Sequence, residues 1–475
     1  MLKNDYDFKP QDMLSFVVMA DENSDYVRKA VEEFLSNIDL DSLQTKLLLV
    51  LSIYKYFIHG NLTNAFCEKY LGYTPKLRLE ERLCEEMKPF VESKMCSENN
   101  FGGYGVLQVT HRPVAKLIFD FLCKKLNTNL FQILMEFFEE NALKDRFGRD
   151  KTLNDIYTLC CDRTQKEPQK KKDNDQNNQD DEYSTEEEGR SDFSALIEYF
   201  LKDLNQKCSY DLLEKAFDVT SDSDHTSSRI AQTIARLYLR DNKFEEAKEW
   251  AETAARKKPA FYYFDTIGQI YKKELYKKKI STKEELTEAI EVGYLASVNF
   301  RRAQDMIESK TRKRHRSGIH EEEFKLYSNL THSYNTSYIG EIKVNLKIAS
   351  LLTETTDNLD KKKCIAKFMQ GDQSEKLVEE LFTEKISDWR QFSNFLKDID
   401  RRIVHCMREI SLSFDSSTWR KHAHNHIQIL NGLREERDAL FFGSSAFKLK
   451  GKNVEKNIQH IRAALEGHQV FSMIR

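Results

Sequence analysis

The sequence predicts a mainly α-helical protein: a winged-helix-like unit with a short β-hairpin, followed by a tetratricopeptide-like α-solenoid. Three observations carry this expectation. Only 16 Gly and 6 Pro punctuate 475 residues, too few turn-formers for a β-sandwich or barrel. The hydrophobic period switches from helical to alternating and back between residues 41 and 126. Residues 228–261 place small and aromatic side chains at the offsets of a helical-hairpin repeat of about 34 residues.

The elements follow in order. Phe16–Met19 is a short apolar run that reads as a strand, and Ser24 N-caps a helix to Ser36. Asp41 opens a second helix through Ile58, apolar on all sides at Leu47–Tyr54, which places it centrally. A third helix starts at Asn61 and stops at Leu71-Gly72, and a short one covers Glu80–Met87. Phe90–Ser93 and Val106–Val109 read as strands, with Phe101–Gly105 as the glycine-rich turn between them. His111-Arg112-Pro113 begins the closing helix of the winged-helix-like domain, 41–126, with Pro113 suited to a first turn. A helical extension, 127–165, contains two helices at 127–142 and 149–163.

Residues 166–190 carry one aromatic and no aliphatic side chain, so they read as a disordered charged linker, basic first and acidic after. Repeats fill 191–360. Tyr238, Ala247, Ala251, Ala254 and Pro259 occupy the packing positions of one unit, and Gly268 and Tyr271 open the next. Alanines let two helices approach closely, Tyr238 fills the gap, and Pro259 ends the second helix. The partner helix falls at Glu284–Gln304, with Ala289, Ala296 and Ala303 seven residues apart. A last pair, Glu321–Tyr334 and Ile339–Leu352, is separated by Asn335-Thr336-Ser337. Residues 361–475 form a C-terminal helical region of weaker period.

Composition excludes several functions. Lys+Arg 74 against Asp+Glu 77 gives a net charge of −3, so no global field attracts a nucleic acid or membrane. Nine cysteines with no C-x-x-C fit a reducing compartment. No apolar leader is present, and the longest apolar stretch, Leu47–Leu51, is far below the roughly 20 residues that span a bilayer. The expectation is a soluble cytoplasmic protein without a transmembrane segment.

The chemistry-bearing patterns are weak. No Walker A motif occurs: Gly443 and Gly451-Lys452 are too far apart, and Asn453 stands where a hydroxyl residue is required. His422, His424 and His426 invite a metal, but only the first and last share a helix face, and zinc needs three or four ligands. Cys160 and Cys161 read as packing residues. His405 and Cys406 point apart on a helix and form no dyad. Catalytic residues, cofactors and metal are therefore expected to be none. Arg312, Lys313, Arg314 and Arg316 form the strongest basic cluster, read as a loop between helical hairpins. It suits nucleic-acid phosphate, an acidic partner or an import signal, or else it is merely solvated. Lys448, Lys450, Lys452 and Lys456 form a second, diffuse strip. Gln232, Arg236 and Leu239 are the positions expected to line a partner groove. His111 reads as a capping residue where strand hands over to helix.

Several blocks keep their order across residues 100–345: Gly105–His111 with Ala115-Lys116, Phe147–Lys151, Trp250-Ala251, Asp265–Lys272, Tyr334–Thr336 and Ile339–Ile342. In these the chain resembles the vertebrate sterile-alpha-motif domain-containing protein nine and nine-like family. The resemblance implies a large cytosolic, interferon-responsive protein of antiviral defence, with translational repression, growth restraint and endosomal trafficking among its members' roles. It also implies a STAND-like order of effector, P-loop NTPase, winged helix, helical repeats and OB domain. In that scheme residues 1–40 are the remnant of the NTPase module. His111 matches the winged-helix histidine that senses bound nucleotide, with the P-loop supplied from elsewhere. The chain shows no sterile-alpha-motif, effector or clear OB domain, so it reads as a fragment or a shortened relative. The expected function is a non-enzymatic interaction and regulatory module, with protein partners and self-association. The alternative is a nucleic-acid-binding module using the winged helix and Arg312–Arg316.

Overall fold

The computed structural model describes residues 25–73, 79–98, 101–140, 143, 149–165, 190–203, 206–317, 324–372, 375–387, 389–413 and 423–442. Those residues are mainly helical, with one small three-stranded antiparallel sheet and one two-stranded ribbon. The expected strand at Phe16–Met19, most of 1–40, residues 166–189 of the charged linker and the lysines from Lys448 onward lie outside them. The chain divides into two compact units. One takes residues up to Leu237 with Arg256–Lys258; the other takes Tyr238–Ala255 and residues from Pro259 onward.

In the first unit, α1 (Asp25–Phe34) is followed by α2 (Leu43–Ile58), the central helix that its apolar run predicts. Ser42 caps α2 by accepting from the Thr45 amide, and His59 closes it in a left-handed conformation, φ 52°. Leu47, Leu48, Leu51 and Tyr54 are fully buried. At about 1.5–3 kcal/mol per large apolar side chain, this helix is a main source of the unit's stability. It is followed by β1 (Leu62–Thr63) and α3 (Asn64–Tyr70), capped by Thr63. Residues expected to form a helix at 80–87 make only a 3-10 turn, Leu79–Arg82.

Strands β2 (Val91–Glu98) and β3 (Phe101–Val109) pair antiparallel, and β1 joins the other side of β3, giving the order β1-β3-β2. The register sets Leu62 opposite Leu107 and Val91 opposite Val109, so these side chains enter the core. Phe101–Gly105 is not the turn that its glycines suggest. It is part of β3, with Gly105 opposite Met95. The reason at Gly105 is close approach: a Cβ there would stand 2.4 Å from the Asn64 amide nitrogen.

Helix α4 (Arg112–Leu126) ends on left-handed Asn127, and α5 (Leu130–Glu139) opens with a reciprocal capping box of Asn129 and Gln132. After α6 (Arg149–Cys161) comes a feature that the sequence reading lacks. Strand β4 (Arg163–Gln165) pairs with β5 (Arg190–Ser194), so the two ends of the charged segment are tied together, and Arg190 is strand rather than linker. Helices α7 (Ala195–Asp203), α8 (Gln206–Val219) and most of α9 (Asp224–Arg240) complete the unit.

The second unit begins at Tyr238, in the last turn of α9, and the turn that follows holds Asn242 at φ 58°. Helix α10 (Phe244–Lys257) is followed by α11 (Phe261–Lys277), α12 (Lys283–Ser317) and α13 (Phe324–Glu354). Phe300 of α12 packs against two glycines on neighbouring helices. A Cβ at Gly268 of α11 would be 2.7 Å from its ring, and one at Gly340 of α13 would be 2.5 Å away. Gly293 of α12 meets Ile348 and Leu275 in the same manner. As α12 runs back from 300 to 293, its neighbours run forward from 268 to 275 and from 340 to 348. The three helices are therefore stacked antiparallel in sequence.

Helix α12 has 35 residues, well beyond the expected end at Gln304, and α13 is one continuous helix of 31. The expected break at Asn335-Thr336-Ser337 does not occur. No glycine or proline interrupts the turn, and Asn335 and Ser337 are fully buried in the interface. The unit continues with α14 (Leu359–Met369), α15 (Glu375–Lys385), a 3-10 turn at Trp389–Phe392, α16 (Ser393–Lys397), α17 (Ile399–Ser413) and α18 (Ala423–Phe442).

Candidate functional site

His111 occupies the N-cap position of α4 with extended backbone, and its ring makes no capping bond. The expectation of a side-chain cap is not met. Burial holds its pKa below the ordinary histidine range, against the charge of Glu92 and with those of Lys55 and Lys94. It is therefore neutral at pH 7. The surroundings are cationic. Lys55 reaches Gln108 Oε1 at 3.4 Å, Gln108 donates to Glu92 at 2.7 Å, and Lys94 pairs with Glu92 at 2.6 Å. Arg112 donates to the Tyr56 carbonyl at 2.8 Å. His59 titrates low for similar reasons: burial first, then Arg112 and Lys55. A neutral imidazole among lysine and arginine can hydrogen-bond an anion without itself supplying charge. The four-residue spacing of Lys55 and His59 at the end of α2 was the signal that sequence reasoning missed.

The repeat residues fall at helix seams and ends. Ala247, Ala251 and Ala254 are buried. Tyr238 lies beneath the Lys243 ammonium, 5.6 Å from its ring centre. Pro259 stands between α10 and α11, and Gly268 receives Phe300. Tyr271 lies under Lys248, which also pairs with Glu245 and Glu274 at 2.7 and 2.9 Å. Of the groove positions, Gln232 and Arg236 belong to the first unit and Leu239 to the second. Arg236 donates to the Asp192 carbonyl at 2.9 Å and sits over Phe193, so it is a packing residue as well as a groove candidate. The Leu239 carbonyl accepts from Lys273 at 2.9 Å.

The most developed polar arrangement is centred on Glu341 of α13, which sequence reasoning did not single out. Its carboxylate is fully buried yet surrounded by donors. Oε1 accepts from Ser297 at 3.2 Å, Arg301 at 2.7 Å and Arg402 at 3.0 Å. Oε2 accepts from Gln304 at 2.9 Å, Arg402 at 2.8 Å and the Cys406 thiol at 3.3 Å. The Arg402 fork is bidentate, the strongest geometry for this pair. Burial alone would raise the Glu341 pKa; hydrogen bonds and charge from Arg402, then Arg301, overcome it and leave the group below its usual range. Next to it in sequence, Gly340 packs against Phe300 of α12, where a Cβ would stand 2.5 Å from the ring.

Cysteine chemistry is disfavoured where shifts are resolved. Burial pushes the Cys123 thiol up to about 12, and burial with Glu341 raises Cys406 well above its ordinary value. Such thiols are poor nucleophiles. Cys160 is raised by burial as well. Arg312, Lys313, Arg314 and Arg316 lie in the last turns of α12 rather than in a loop. Lys and Arg are good helix formers, and cations suit a helix C-terminal end. His424 and His426 fall at the start of α18, whereas His422 is outside the described residues. Among the described residues no group of three or more His, Cys, Asp or Glu is placed to hold a metal ion. No described helix is long and apolar enough to cross a membrane.

Comparison with known proteins finds no matching family model, no curated protein and no solved structure that resembles the chain.

Proposed function

We propose that the chain is a protein-binding regulatory module of a cytoplasmic, interferon-responsive antiviral protein of STAND-like organisation, with no catalytic role of its own. Residues 41–126 read as its winged helix and residues 191–360 as its tetratricopeptide-like repeats. The observation that carries the reading is the antiparallel stack of α11, α12 and α13 on glycine contacts, an architecture suited to presenting surface rather than enclosing a reaction. The sheet order β1-β3-β2, with a helix between β1 and the β2–β3 hairpin, supports the winged-helix part. The collinear family blocks support the antiviral part. In this reading His111, with Lys55 and Arg112 near it, senses a nucleotide held by a P-loop from elsewhere. Disrupting the gene in interferon-treated cells tests the proposal. Interferon raises the transcript and disruption raises virus yield; an uninduced transcript and unchanged yield would defeat it.

A second reading has one observation in its favour: the basic run is helical, so Arg312 and Arg316 recur on one face at the end of α12. Together with the winged helix it would bind nucleic acid. Gel shifts across a salt series separate the readings, because phosphate contacts weaken steeply as salt rises.

A further inference from the structure

Beside the Glu341 cluster lies an open cavity of about 690 Å³, lined among others by Tyr294, Arg301, Gln370, Asn394, Lys397 and Arg401. Its volume is in the range of small-molecule sites, roughly 300–1,000 Å³. The walls are well built. Tyr294 and Arg301 come from α12. Gln370 and Gly371 come from the end of α14, where Asp372 N–H bonds the Lys367 carbonyl at 3.0 Å and Gly371 N–H the Phe368 carbonyl at 2.9 Å. That double closure, with Gly371 at φ 82°, is a Schellman motif and holds the loop in place. Phe395 is buried and packs edge-on against Tyr294, 5.3 Å between ring centres.

We infer that this cavity binds a small phosphate ester of nucleoside-monophosphate size, its phosphoryl group held by Arg301, Lys397 and Arg401 and its ring laid on Tyr294. Three features point there. The Arg301 guanidinium gives Nε to Glu341, but its buried Nη2 has no hydrogen-bond partner. Buried donors are rarely left so without a ligand or water to accept from them. Lys397 makes no ion pair or side-chain hydrogen bond among the described residues. Two carboxylates stand here, Glu341 held by Arg301 and Arg402, and Asp398, itself a lining residue, 3.2 Å from Arg401, against the four cations Arg301, Arg402, Lys397 and Arg401. Cationic charge is therefore in surplus around a cavity that also offers the amides of Gln370 and Asn394 as donors. Tyr294 is 38% exposed while T-shaped contacts with Phe392 and Phe395 hold its ring, which leaves part of the ring surface open for stacking. The inference is independent of the antiviral reading.

Calorimetric titration of the full chain with AMP, inorganic phosphate and succinate tests it. AMP binds, phosphate binds at least fivefold more weakly, and succinate more weakly still. Lys397→Gln and Arg401→Gln each weaken AMP at least fivefold, and Tyr294→Ala removes the advantage of AMP over phosphate. Arg401 is largely exposed and Lys397 half-buried, so these variants keep the fold, which thermal melting verifies. No heat with AMP or phosphate at millimolar concentration overturns the inference. So does binding that both charge variants leave unchanged, or succinate binding as tightly as phosphate.

Discussion

Replacing Glu341 with Gln changes few atoms and removes one charge. The amide is nearly isosteric, but it presents an NH2 to donors whichever way it turns. In one orientation it faces Ser297, Arg301 and Arg402; in the other it faces Gln304, Arg402 and Cys406. Two guanidiniums also lose their counter-charge. Breaking a buried pair from one side costs about 3–5 kcal/mol. Arg301 and Arg402 retain 32% and 19% side-chain exposure, so water screens them in part and the low end, about 3 kcal/mol, is expected. For a unit of this size that is a fall in Tm of about 6–12 °C. The pH dependence has a definite sign. Because the folded carboxylate has a depressed pKa, its contribution is complete above the unfolded value, about 4.3, and disappears as pH falls through the lower folded value. Urea unfolding followed by circular dichroism should show a wild-type advantage at pH 7 that narrows below pH 4. A loss under about 0.5 kcal/mol at pH 7, the size of an ordinary surface substitution, or a gap that stays constant into acid, would refute the reasoning.

Other outcomes follow from the same structure. Gly340→Ala drives a methyl into the Phe300 ring and should cost about 1–3 kcal/mol, much of it recovered when Phe300→Leu is added; additive losses in that double-mutant cycle would mean that the residues do not touch. His59→Gly relieves a left-handed helix end and should raise stability by about 1 kcal/mol in thermal melts, and no gain would argue against that backbone conformation. Native protein at pH 8 should leave Cys67, Cys160 and Cys406 unlabelled by iodoacetamide until it unfolds, with mass spectrometry reading the sites; rapid labelling of Cys406 would contradict its burial beneath Arg402 and Glu341.

What could be read beforehand depended on how local the cause was. The centrality of α2 is written in Leu47–Tyr54, because a helix apolar on every side has nowhere else to go. The buried alanines of α10 are likewise a local pattern. Glu341 was not readable: in sequence it is one acid on a helix, and its partners lie 40 and 61 residues away. The glycines of β3 looked like a turn because glycine marks turns more often than close approach, and only the contact with Asn64 explains Gly105. Asn335–Ser337 looked like a loop from its polarity, yet polar side chains inside a helix are tolerated where a packed neighbour covers them. The β4–β5 ribbon has too few residues to show an alternating period. The cavity beside Arg301 gathers residues from four helices and has no linear signature.

The stack of α11, α12 and α13, bridged to α17 by Glu341, is the claim on which the rest depends. Native-state amide hydrogen exchange resolved by residue tests it directly. The account predicts that amides around Gly268, Phe300, Asn335–Gly340 and Arg402 are protected together, with a common opening free energy. Amides at Asn335–Ser337 exchanging at nearly unfolded rates, while those on either side stay protected, would contradict it.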